Sequence, residues 1–226
     1  MCGRFTLTAD IQTLQDAFPF VAMPEGMPGA VQPRYNIAPT QPVAVVPNDG
    51  KNRLDFFVWG LIPSWAKDPS IGNRMINARA ETLLEKPSFR NAFRRRRCLI
   101  LADGFYEWRK EPGGKTPMFI QMEDGKPFAF AGLWELWRAP DSSEVLSCTI
   151  ITTEPNDLMS SIHNRMPVIL PESAYSRWLE SGEVDPGPLV ELLKPYEASP
   201  MRAYPVSPLV NNPKNDLPEL ISPARM

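Results

Sequence analysis

Four residues in this chain are of types suited to covalent or proton-transfer chemistry, and one of them stands beside the start. Cys2 follows Met1 in Met1-Cys2-Gly3-Arg4-Phe5. Cysteine is small, so removal of Met1 is expected and leaves a residue with an α-amine and a thiol on adjacent carbons. The amine titrates near ~7.7–8.0 and the thiol near ~8.5, so each keeps a nucleophilic fraction at neutral pH. A 1,2-aminothiol attacks an aldehyde twice, first as amine to give an imine, then as thiolate to close a thiazolidine ring. It also suits an N-terminal nucleophile that acts as its own base. The bland alternative is a chance cysteine beside a start codon, and position alone does not separate the two.

His163 is the only histidine, so any step that needs an imidazole has one candidate. It lies in Ser161-Ile162-His163-Asn164-Arg165-Met166-Pro167, just before an apolar run. An exposed, merely hydrogen-bonded ring is the plain alternative. Glu107 sits in Gly104-Phe105-Tyr106-Glu107-Trp108. In a strand it shares a face with Phe105 and Arg109, while Tyr106 and Trp108 take the other. Aromatic surroundings tend to raise a carboxyl group's pKa towards general acid–base use; an exposed pair with Arg109 is the other possibility. Asn77, in Ile76-Asn77-Ala78-Arg79-Ala80-Glu81-Thr82, reads either as a helix N-cap or as part of an anion site. Trp65, in a loop after a strand, either roofs the core or stacks on an unpaired base. Cys98 and Cys148 fall in apolar runs and read as inert core thiols.

Many short elements must hold these residues. Prolines are scattered through the chain, 26 of 226 residues or about 12% against a usual ~5%, and punctuate it throughout. A helix capped by Thr8 is predicted from Ile11, Leu14 and Phe18, followed by a surface stretch from Pro19 to Pro42. Strands are predicted at Val43–Pro47, Leu54–Trp59, Cys98–Ala102, Phe105–Arg109, Met118–Met122, Phe128–Leu133, Leu146–Thr153 and Pro167–Leu170. Asp124-Gly125 between two of them signals a hairpin. Helices are predicted at Arg79–Glu85, Ser88–Arg95, Glu172–Glu180 and Leu189–Leu193. The fold class that follows is α+β: mainly antiparallel, curled sheets forming a barrel-like core with flanking helices. One domain over residues 1–226 is expected, partly frayed from about residue 211.

Hydrophobic residues at 43% and charged residues at 22% are ordinary for a soluble domain, and no apolar run reaches membrane-spanning length. Three widely spaced cysteines give neither a disulfide framework nor, with one histidine, a zinc site. No metal or cofactor is expected, and the cytosol is the default compartment. The net charge of −2 does not announce a nucleic-acid partner. The run Arg94–Arg97 suits either a solvated helix end or a phosphate-contacting patch.

Seven segments, in order, resemble those of the SRAP (SOS response-associated peptidase) family. They are Met1-Cys2-Gly3-Arg4-Phe5, Arg34-Tyr35-Asn36-Ile37-Ala38-Pro39, Trp59 to Trp65, Ile76 to Thr82, Ala102 to Trp108, Ile162 to Pro167, and Pro205-Val206-Ser207 with Val210-Asn211. The resemblance implies binding of single-stranded DNA that carries an abasic site, and covalent capture of that site by the N-terminal cysteine as a thiazolidine. It implies a DNA-damage role, lyase-type chemistry, a monomer, and a location at the nucleoid when DNA is bound. Cys2 matches the nucleophile, Asn77 the active-site asparagine, Glu107 the acid/base and His163 the catalytic histidine. Arg4, Arg79 and Arg165 match phosphate contacts; Asn36, Pro39 and Trp65 match positions near flanking bases. Where some family members carry two adjacent tryptophans, this chain has Trp65-Ala66. Two other classes stay open: an N-terminal-nucleophile peptidase acting on itself or on peptides, and a reader of modified bases without chemistry.

Overall fold

The computed structural model describes residues 2–23 and 32–224. Part of the proline-rich stretch from Pro19 to Pro42 therefore lies outside the described residues. In chain order the strands are β1 (Arg4–Leu7), β2 (Arg34–Ile37), β3 (Pro42–Pro47), β4 (Asp55–Trp59), β5 (Asn77–Arg79), β6 (Arg97–Ala102), β7 (Gly104–Glu111), β8 (Gly114–Met122), β9 (Phe128–Arg138), β10 (Glu144–Thr153), β11 (Met166–Pro167), β12 (Ile169–Leu170) and β13 (Met201–Pro205). The helices are short: α1 (Ile11–Ala17), α2 (Arg90–Arg95), α3 (Asp157–Ser160), α4 (Tyr175–Trp178) and α5 (Gly187–Val190).

Strands β10, β4, β3, β6 and β9 pair in that order, and β9 pairs back onto β10. This closes a five-stranded barrel, the curled sheet that the strand pattern predicts. Strands β5 and β11 hang on β10, and β12 hangs on β9. Strands β4 and β5 run parallel to β10, and the barrel's other pairings are antiparallel. A second sheet runs β13-β8-β7-β1-β2, antiparallel throughout. Phe5 of β1 joins the two layers: its ring meets Trp59 at 5.1 Å and Phe130 at 5.7 Å, both edge-on. Phe105 of β7 meets Phe130 at 6.0 Å. Such edge-to-face pairs add to the area the rings bury. They tie β1, and so the start of the chain, to the barrel.

Local chemistry explains where prediction and structure part. The cap of α1 is Asp10, which accepts from the Thr13 N–H at 2.8 Å. Thr8 is taken instead by Asp103, whose carboxylate accepts from the hydroxyls of Thr6 and Thr8 and the N–H groups of Thr8 and Ala9. Asp124-Gly125 does form a turn, with Gly125 at φ +70°, but β8 and β9 then enter different sheets and make no hairpin. Hairpins form instead at β3–β4, at β7–β8, turning at Pro112-Gly113, and at β9–β10. The helix predicted at Arg79–Glu85 shrinks to a 3₁₀ turn over Ala80–Thr82. Asn77 belongs to β5 and is no N-cap.

The chain past Asn211 is not frayed as far as Ala224. Leu220 is fully buried, and Val206 bridges to Pro223. The Asp216 carboxylate accepts from the N–H groups of Tyr35 and Asn36 and from Arg34.

The arginine run is not one phosphate patch either. Arg95 pairs with Glu183; Arg96 pairs with Glu135 at 2.7 Å and lies over the Trp134 ring. Arg97 is fully buried and donates to the carbonyls of Phe93, Arg94, Trp178 and Glu180, its charge so costly to desolvate that its pKa is pulled down to about 10.

Candidate active site

Strand pairing assembles the site from distant stretches of sequence. Strand β1 lies against β7 with Arg4 opposite Tyr106 and Phe5 opposite Phe105. The residues entering β1 therefore run alongside Glu107. Cys2 is fully buried, and its thiol points to the Arg4 carbonyl at 3.7 Å. Burial above all, and then the charge of Glu107, push the thiol well above its ordinary range. Glu107 is 3% exposed, opposite Met118 of β8. Glu107 is thus not the exposed strand carboxylate of the plain alternative, and Arg109 pairs with Glu111 at 2.6 Å.

Asn77 supplies the third part. Its Nδ2 donates to the Cys2 carbonyl at 2.8 Å, holding the main chain of the cysteine. Its Oδ1 is buried and accepts no hydrogen bond from the described residues. Strand β5 is only three residues long and exists because Asn77–Arg79 pair in parallel with Ile150–Thr152 of β10. The loop that leads into it depends on a close backbone crossing. Gly60 has φ +134°, and a Cβ there would sit 2.7 Å from the Gly72 carbonyl oxygen.

His163 is anchored to the same end of β10. Its N–H donates to the Met159 carbonyl at 2.8 Å, continuing α3. Its Nδ1 accepts from the Arg165 N–H at 3.1 Å. The same Nδ1 also lies 3.3 Å from the Arg165 carbonyl, to which it donates in the other tautomer. Arg165 in turn donates to the Thr152 carbonyl at 2.6 Å, next to β5. Asn77 thus bonds Cys2 directly, Glu107 lies on the strand that pairs with β1, and His163 is tied through Arg165 to the part of β10 that holds β5.

The expected DNA contacts divide. Trp65 is 59% exposed, and Arg79 is also exposed. Pro39 is partly exposed, just before Thr40 at φ 71°. Arg4 and Asn36 face inward. Arg4 donates to Asn36 Oδ1 at 2.9 Å and to the carbonyls of Val210 and Asn211 at 2.8 and 3.3 Å. Asn36 is fully buried, and its Nδ2 reaches the carbonyls of Val210, Asn212 and Asn215. Sequence reasoning missed Glu81 and Thr152, the partners of Arg165. Glu81 lies within a segment already singled out, but nothing local ties it to an arginine 84 positions on.

Cys98 and Cys148 are fully buried core thiols, held protonated chiefly by desolvation. Among the described residues no cluster of three or more His, Cys, Asp or Glu could hold a metal ion. No helix among them is long and apolar enough to cross a membrane. Two hollows of about 610 and 530 Å³ meet at Glu172 and Tyr175 and include none of the four site residues.

A closed barrel flanked by an antiparallel sheet, with a cysteine near the chain start held by an asparagine and a buried glutamate on the neighbouring strand, defines a distinct class. The chain belongs to the SOS response associated peptidase (SRAP) family, whose model matches residues 1–213. It is 51% identical over 224 residues to the abasic site processing protein YoqW of Bacillus subtilis, covering 98% of this chain and 99% of that protein. It is 36% identical to the abasic site processing protein HMCES of Rattus norvegicus, covering 78% of this chain and 58% of the longer relative. Among solved structures, a protein from Bacteroides thetaiotaomicron superposes with a TM-score of 0.88 at 27% identity, over 99% of this chain and 100% of the other.

Proposed function

We propose that this protein captures abasic sites in single-stranded DNA covalently through Cys2, with Met1 removed. The supporting observation is the arrangement at Cys2: a main chain held by Asn77 at 2.8 Å, and a buried carboxylate, Glu107, on the strand paired with the one Cys2 leads into. The names of the abasic site processing relatives, at up to 51% identity, point to the same substrate.

An abasic deoxyribose is mostly a closed hemiacetal, so the C1′ aldehyde must first be released. Glu107 accepts the hydroxyl proton and returns one to the ring oxygen as the ring opens. The Cys2 amine adds to C1′, and loss of water gives the imine. Glu107 then takes the thiol proton, sulfur bonds to C1′, and the nitrogen regains a proton as the thiazolidine closes. His163 serves proton transfer at the imine stage, where ring closure competes with β-elimination of the 3′ phosphate. Trp65 and Arg79 supply stacking and phosphate contact from the exposed surface.

The test mixes untagged protein with single-stranded DNA bearing one abasic site and runs a denaturing gel beside Cys2→Ala. A heat-stable shifted band that requires Cys2 is expected. Absence of the band from protein shown by mass spectrometry to have lost Met1 rules the reading out and turns attention to peptide substrates.

A further inference from the structure

Arg165 sits between the site and the surface, and its five N–H donors are unevenly used. Nη1 donates to Glu81 Oε1 at 2.6 Å; Nη2 donates to Glu81 Oε2 at 3.0 Å, to the Thr152 carbonyl at 2.6 Å and to the Thr152 hydroxyl at 3.3 Å. Nε is buried with no acceptor among the described residues. The two sides of the ion pair differ sharply in exposure, 16% for the arginine side chain against 52% for the glutamate. The guanidinium is thus the more enclosed member of the pair and the carboxylate the more accessible one. Glu81 sits on a three-residue 3₁₀ turn at the surface and can return to water at little cost. Arg165 cannot, and Thr152 holds the guanidinium in place whether or not Glu81 is there.

We propose that Glu81 is a built-in stand-in for a DNA phosphate, occupying the outer edge of Arg165 in the free protein and yielding it when single-stranded DNA binds. Carboxylate and phosphate present the same pair of anionic oxygens to that edge of a guanidinium. Hydrogen bonding from Arg165, foremost, keeps the Glu81 carboxyl below its usual range, so it is ionised and competes at neutral pH. Arg79, exposed two residues before Glu81, lends its charge to the same spot. Once Glu81 swings away, both cations face the strand. Glu81 thus sets how tightly, and how salt-dependently, undamaged DNA is held, and takes no part in the chemistry at Cys2.

The inference rests on the single-stranded DNA reading, and the experiment keeps the two apart. Binding of an undamaged, fluorescently labelled single strand is measured by anisotropy across a salt series for wild type, Glu81→Gln, Glu81→Ala, Arg165→Ala and Glu81→Gln/Arg165→Ala. Removing the competing charge is expected to tighten binding about two- to fivefold at low salt. The slope of log affinity against log salt is expected to steepen by about 0.7, one more phosphate neutralised. In the Arg165→Ala background, Glu81→Gln is expected to have no further effect. If Glu81→Gln and Glu81→Ala bind no better than wild type, with the slope unchanged, Glu81 is only a buttress and the inference is overturned. If wild type fails to bind single strands at all, the functional reading falls and this one with it.

Discussion

Replacing Asn36 with alanine removes a side chain that is fully buried and joins three parts of the chain. Its two Nδ2 hydrogens are shared among the carbonyls of Val210, Asn212 and Asn215, the shortest contact being 2.7 Å, and its Oδ1 accepts from the charged Arg4 at 2.9 Å. Counting two neutral bonds at about 1 kcal/mol each and one charge-assisted bond at about 2 kcal/mol, the loss comes to about 4 kcal/mol. For a chain of this size that lowers the melting temperature by about 8–16 °C. Because Asp216 still holds Tyr35 and Arg34, the segment after Pro208 is expected to loosen without leaving. Thermal denaturation followed by circular dichroism reads the first effect, and limited proteolysis of the C-terminal segment the second. A variant with wild-type melting temperature and protease resistance, yet weakened DNA binding, refutes this reasoning: Asn36 would then act at the DNA surface and not as an internal tie.

Two further outcomes follow from the same geometry. Glu107→Gln is expected to slow capture of the closed abasic sugar about a hundredfold, while slowing reaction with a simple open-chain aldehyde far less; equal slowing in a gel time course removes the ring-opening role. Glu135, 4% exposed and paired with Arg96, has its pKa raised by burial. A carboxyl whose folded pKa lies above its unfolded one contributes most below the unfolded value, and that contribution is lost as pH rises through the folded value. Glu135→Gln is therefore expected to remove this decline, gaining on wild type between about pH 4.5, the usual carboxyl range, and neutrality; denaturant melts at pH 4 and 7 that show the same difference count against it.

Strong local patterns were legible in the sequence, and partnerships across the chain were not. The run Cys98–Ala102 announces a buried strand, and β6 spans Arg97–Ala102, because continuous apolar sequence has few other uses at that length. The curled, mainly antiparallel architecture followed from many such runs. Asn77 was ambiguous because a three-residue strand has no pattern of its own; it exists through pairing with β10, more than seventy residues later. Asp124-Gly125 was misleading because a turn fixes only its own backbone, while the sheet each strand joins is decided by distant partners. The inward turn of Arg4 and Asn36 depends on residues 210–215, a polar stretch whose order comes from what it caps. For the candidate site, residue types pointed to Cys2, Glu107 and His163 as a set, and pairing of β1 with β7 put the first two together. Glu81 and Thr152 left no local trace.

The pairing of β1 with β7 also sets an order of events during synthesis. Cys2 leaves the ribosome on the order of ten seconds before Glu107 at ordinary translation rates. Through that interval the thiol has the reactivity of any exposed cysteine, and no carboxylate stands beside it. It is sheathed only when β7 arrives to pair with β1, and its main chain is held only once β10 has been made and β5 can dock on it. Cys2 is thus made early and enclosed late. The enclosure of this cysteine belongs to the finished fold, and a newborn chain does not have it.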